Sequence, residues 1–282
     1  MVFKLYIDSS FKRETGGSVS DSEFSIELPH PLQVKGKAFV DTCLVPNVFY
    51  NIREDNNRIH LVEDVNNSPN FRIVYIAPGQ YNVHTLKDAM VTALNSGRVI
   101  AGQYQVTYHR FSNKYDINNL DQTDKFALYP IAWFNQFADL WNGGAASNHQ
   151  VDPKNLRDSG FVTGFASGGI NQQSAPNAKI DALECPNLQP YSQLFLRSSL
   201  GDGYSAIGPD GSSDIIRRIV VGGTPMNGVI VDQHGLPYDS VPMGRPREIT
   251  TLSFRLTDAD GKTVDMLGHH ISFSIIFIAD DE

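Results

Sequence analysis

The sequence predicts an all-β chain: a single jelly roll, that is an antiparallel β-sandwich, with one or two short helices and a loop-rich insertion. Three observations carry that expectation. Apolar residues recur with period 2 in most ordered stretches, most clearly in Ile249–Leu256 and Ile271–Ile278. Gly, Pro, Asn and Asp separate these runs at irregular spacing, and strands do not alternate with helices, which argues against a doubly wound sheet. The composition agrees, because 41% hydrophobic and only 19% charged residues with 23 Gly and 15 Pro suit a folded, loop-rich β protein.

In chain order, Phe3–Ile7 reads as a short strand, and Lys12–Ser22 as a polar loop. Phe24, Ile26 and Leu28 form a half-buried strand that Pro29 and Pro31 should end. Lys37–Val45 is apolar on both faces, with Phe39, Cys43 and Val45 on one and Ala38, Val40 and Leu44 on the other, as in a covered central strand. Asp55-Asn56-Asn57 should turn a hairpin into the strand Arg58–Val62. Phe71–Gly97 organises the middle of the chain: an alternating strand, a Pro78-Gly79 turn, then Leu86, Met90, Ala93 and Leu94 at helical spacing. Asn82 or Thr85 is the N-cap and Gly97 the C-cap of this helix, which at about three turns must lie on a sheet to be stable.

Tyr104–Arg110 and Lys114–Ile117 form a second hairpin, Phe126–Leu128 a short strand, and Ile131–Trp141 a second helix. From Gly143 to Lys179 periodicity is lost, which marks an insertion or contact loop. Short strands return at Gln193–Arg197, Asp214–Val221 and Gly228–Val231, before the closing pair and its brief return at Val264–Leu267. The division expected is 1–142 and 180–282 as parts of one jelly-roll domain, with 143–179 inserted. About eight to ten strands result, and a jelly roll sets the first and last side by side.

A net charge of −8 argues against a surface that binds nucleic acid through its phosphates. Two cysteines, Cys43 and Cys185, are no disulfide framework, and the apolar neighbours of Cys43 favour an inert buried thiol. No signal peptide and no membrane-length apolar run is seen, so a soluble protein made in a reducing compartment is expected.

The search for chemistry predicts no catalytic residue, no metal site and no cofactor. Gly201-Asp202-Gly203 and Gly222-Gly223 lack the partners of a phosphate loop, and no GxSxG elbow occurs. His269-His270 on a strand would point to opposite faces and cannot chelate one ion. Asp258-x-Asp260-Gly261 opens like a calcium loop, but His269 stands where its closing Glu belongs, so a hairpin turn is the better reading. Trp133 and Trp141 read as core anchors rather than a sugar platform.

The order of the blocks is itself informative. LYIDSS, EFSIELP, AFVDTCLVPNVFYNI, NNRIHLV and IAPGQYNVHTLKDAMVTALN, followed by LFLRSSLGDGYSAIG, SSDIIRRIVV and LSFRLTDADGKTVDMLGHHISFSIIF, resemble penton (vertex) and minor capsid proteins. These belong to double-jelly-roll-lineage eukaryotic DNA viruses: virophages, polinton-like viruses and adintoviruses. The resemblance implies a single jelly roll and a structural virion protein rather than an enzyme. It implies a homo-oligomer, the pentamer at the five-fold vertices of an icosahedral capsid, with neighbouring major capsid protein capsomers as partners. Direct nucleic-acid binding and a membrane span are not expected, and the location implied is the virion, after synthesis in the host cell cytoplasm. Ser9–Ser22 is then a candidate arm that orders on assembly. A carbohydrate- or receptor-binding β-sandwich is the first rival reading, and an enzyme on a jelly-roll scaffold the second.

Overall fold

The period-2 runs become strands that curl into sandwich-like antiparallel sheets. The computed structural model describes residues 2–12, 20–65, 68–121, 124–129, 160–165, 171–172, 179–201, 207–208, 211, 213–233 and 240–279. Its strands are β1 (Val2–Asp8), β2 (Glu23–Pro46), β3 (Arg58–Val65), β4 (Ser68–Tyr75), β5 (Tyr104–His109), β6 (Lys114–Asn119) and β7 (Lys125–Leu128). They continue with β8 (Asn171–Gln172), β9 (Ile180–Asp181), β10 (Gln193–Ser198), β11 (Ile215–Val220), β12 (Val229–Gln233), β13 (Val241–Thr257) and β14 (Ser272–Ile278). The helices are α1 (Val83–Asn95) and the single turn α2 (Gly160–Thr163).

The chain divides into two compact units, Met1–Phe49 with Tyr191–Glu282, and Tyr50–Pro190. These boundaries differ from the expected division at 142/143 and 179/180. The reason lies in packing, because the strands from Arg58 to Leu128 bury their apolar faces in a core of their own. A period-2 pattern says that a face is buried but not against what.

In the first unit β2 is the spine, and the strand order is β1-β14-β2-β13-β10-β11, with β12 also on β2. Thr42 pairs at once with Ser274 of β14 and Gln233 of β12, so the C-terminal half of β2 is filled on both edges. Its N-terminal half, from Phe24 to Val34, pairs with β13. Between the halves Gly36 takes φ 113, which favours glycine, and the ladder with β13 slips register there. The sheet therefore curls over. Phe254, opposite Phe24, meets Phe273, opposite Cys43, edge to face at 4.9 Å between ring centroids. β1 pairs with β14 from Val2↔Ile278 to Asp8↔Ser272, so the first and last strands do lie side by side.

In the first unit two expectations about β2 are corrected. Pro29 and Pro31 do not end their strand, which runs on to Pro46. Glu27 pairs with Thr251 and Leu32 with Ile249, so both prolines fall where β2 bulges out of the ladder and no backbone N–H is required. The face assignment of Lys37–Val45 changes too. Ser274 pairs with Thr42 but Ile275 with Val40, which leaves Asp41 as an extra residue that flips the alternation. Ala38, Val40, Cys43 and Val45 then share the core, while Leu44 is exposed on the outer face.

The second unit contains a sheet of order β4-β3-β7-β8 and another of order β5-β6-β9. The β5–β6 hairpin forms as expected, and β3 pairs with β4 in a further antiparallel pair. The Asn56-Asn57 link is a turn rather than a hairpin, since Ile52 bridges to Gly79 instead of to β3. α1 begins at Asn82, whose side chain accepts from the His84 and Thr85 amides while the Thr85 hydroxyl accepts from the Asn82 amide. Gly97 follows its C-cap Ser96 at φ +68. Leu86, Met90 and Leu94 are fully buried against Tyr104, Val106 and Ile117. Of the stretch 143–179, residues 160–165 fold inward and bury Val162 and Phe165 in this core. Gly164 allows that approach, since a Cβ there would lie 2.3 Å from the Glu184 carbonyl oxygen. The expected helix Ile131–Trp141, with Trp133 and Trp141, lies outside the described residues, as does most of 143–179.

Candidate interaction surface

Three side-chain clusters have the residue types of catalysis, and their geometry gives each a structural task. Ser9 Oγ lies 3.4 Å and Asp21 Oδ1 3.1 Å from the same nitrogen, Nδ1 of His270. A Ser-His-Asp relay divides base and orienting acid between the two ring nitrogens, and here one nitrogen faces both. Ser9 Oγ also accepts from the Ile271 amide at 3.0 Å, and Lys12 Nζ pairs with Asp21 at 2.6 Å. The cluster pins the chain after β1 to the approach of β14. Lys12 and Asp21 thus tie the expected arm Ser9–Ser22 together at its base.

On the β5-β6-β9 sheet, His109 Nε2 bonds to Asp116, whose same oxygen lies 3.3 Å from Lys179 Nζ, and Lys179 lies 2.9 Å from Asp181. This is a cross-strand charge lattice. The third cluster is buried. Glu63, 0% exposed, accepts from Arg72 Nη1 at 2.5 Å, from the Tyr104 hydroxyl at 2.8 Å and from the Val99 amide at 2.9 Å. Arg72 Nη2 donates on to the Ser96 carbonyl at 2.7 Å, at the end of α1. Burial, and then the Glu63 carboxylate, push the Tyr104 hydroxyl far above the usual phenol range, so it remains a donor.

Burial, and then the Asp232 carboxylate, push the Cys43 thiol up to about 12, so it stays protonated and unreactive at neutral pH. Both cysteines are free, and Cys185 is exposed in the other unit. Asp258 Oδ1 accepts from the Asp260 and Lys262 amides at 2.9 and 3.0 Å, so this carboxylate is spent on its own turn. Among the described residues, no group of three His, Cys, Asp or Glu is placed to hold a metal ion, and no helix is long and apolar enough to cross a membrane.

What the first unit does present is a face. On the outer side of the β1-β14-β2-β12 layer, Lys4, Tyr6, Asp8, Phe11, Thr42, Leu44, Ser272 and Ser274 line a groove of about 410 Å³ floored by Ile7 and Phe273. Val231 sits opposite Leu44 on β12 and extends the apolar surface. Lys4 Nζ donates to Asp41 at 2.6 Å, holding the carboxyl below and the ammonium above their usual ranges.

No known family profile matches the chain, and no curated protein matches it in sequence. In structure it is similar to the mavirus penton protein, seen in a crystal structure of its selenomethionine form. The likeness has a TM-score of 0.51 and 8% identity, and covers 99% of this chain and 100% of that one. The fold is penton-like.

At that identity the likeness is one of fold and transfers no residue roles. The polar clusters are spent on holding the chain together, which leaves the outer face of the first unit as the candidate surface. Sequence reasoning missed it for a physical reason. Leu44 reads as a core residue until the bulge at Asp41 turns it outward, and no signal in the sequence marks that bulge.

Proposed function

We propose that the chain is a structural virion protein, a penton or minor capsid subunit of a DNA virus. Five copies form the vertex of an icosahedral capsid, beside major capsid capsomers, and the chain itself neither catalyses a reaction nor contacts nucleic acid. The observation that carries this reading is the likeness in fold to the mavirus penton protein over the full length of both chains. The net charge of −8 is in keeping with a part that does not condense a genome. A ring of like subunits uses heterologous contacts that close on themselves. Native mass measurement of the purified chain together with negative-stain imaging tests it. Closed five-fold rings are expected, and a species that stays single at every concentration and salt overturns the reading.

A further inference from the structure

We infer that the outer face of the β1-β14-β2-β12 layer, with the open edge of β1, is covered by a second copy of this chain. The inference rests on the capsid reading and names the surface through which the copies meet. β1 ends its sheet, so among the described strands its outer edge faces no partner. Single-chain β proteins blunt such edges with proline, bulges or charged side chains, lysine above all, but the two charges of β1 are turned to partners of their own chain, Lys4 to Asp41 and Asp8 to the Ser10 amide. Here the register with β14 runs unbroken over seven residues without a proline, and Val2 and Tyr6 are 69% and 76% exposed.

The adjoining face is apolar at Phe11, Leu44 and Val231, which are 82%, 37% and 51% exposed. Scattered exposed apolar residues need no explanation, but a cluster beside an open strand edge does. Charge selects the occupant. The charged residues that line the groove are Lys4 and Asp8, one of each sign. Lys4 is already held by Asp41, and Asp8 accepts from the Ser10 amide at 2.8 Å. A strongly basic or acidic partner would find no counter-charge here. Copies of a chain with net charge −8 repel one another over most of their surface, and a self-neutralised apolar face is where that repulsion is least.

The test uses the full chain and compares wild type with Tyr6→Asp/Leu44→Asp and with Phe111→Asp, a control at a fully exposed position in the other unit. Native mass measurement and imaging should show rings for wild type and for Phe111→Asp. The double variant should run as single chains with an unchanged far-UV circular dichroism spectrum. Rings that persist in the folded double variant overturn the inference and leave the capsid reading standing. Wild-type chains that never form rings remove both. Hydrogen exchange on the wild type decides the matter even where the double variant does not fold. The outward amides of β1 should exchange more slowly in rings than in dilute single chains, and equal rates overturn the inference.

Discussion

His60 lies in β3, buried to 2% exposure, with the Arg58 guanidinium nearby. Burial first, and then that positive charge, push its pKa down from 6.5 to about 4. The unfolded chain takes up this proton as the pH falls through the ordinary histidine range, whereas the folded chain resists until about pH 4. Acid therefore favours unfolding across that window, and stability from this group is fully present only above about pH 6.5. Between pH 7.5 and pH 5 the loss should be roughly 2 kcal/mol. Urea denaturation at both pH values measures it, and His60→Phe should show a correspondingly smaller loss. Glu63 gives a second prediction at this scale. Glu63→Gln leaves the Arg72 guanidinium without its buried counter-charge and should cost about 3 kcal/mol in the same assay.

Among the elements, α1 is held at both ends by side chains. At its start Asn82 and Thr85 satisfy each other's backbone amides. Asn82→Ala should destabilise the fold by about 1 kcal/mol, and a double-mutant cycle with Thr85→Ala should show coupling between the two. At its end Arg72 bonds the Ser96 carbonyl while also meeting Glu63 of β3. The helix is thus clasped to its sheet by polar contacts as well as by Leu86, Met90 and Leu94. β2 shows how irregularity serves an element. Its bulges at residues 28–31 and at Asp41, and the positive φ of Gly36, let one strand of 24 residues serve both halves of a curled sheet.

For the whole molecule, the path of the chain matters most. It leaves the first unit after Phe49 and re-enters at Tyr191, and these two rings meet edge to face at 5.2 Å between centroids. The ends of the intervening segment are therefore close in space, as is common where one domain is inserted in another. Replacing residues 50–190 with a short Gly-Ser linker should leave the first unit folded. A β-type circular dichroism spectrum with one cooperative melt is the expected result, and a chain without cooperative unfolding would show that the first unit cannot stand alone.

Much of the β content was legible in the residues. Ile249–Leu256 and Phe273–Phe277 alternate because a half-buried strand repeats every two residues, and that periodicity survives any tertiary arrangement. The helix was legible for the same local reason, since its cap, its stripe and its terminal glycine all fall within a few turns. The Asn56-Asn57 link misled because a turn fixes a change of direction, while the choice of pairing partner is made by distant residues such as Gly79. The clusters at His270 and Glu63 were invisible because their members come from different elements and meet only in the folded chain.

By itself, then, the sequence determined the mostly β class, the turns and α1, all set by periodicity and backbone preference over short range. The tertiary structure alone decided that two cores form rather than one and that Leu44 faces outward beside an open strand edge. The physical reason is that one inserted residue in a ladder reverses every side chain beyond it, and only the pairing partner across the sheet reveals where that residue sits.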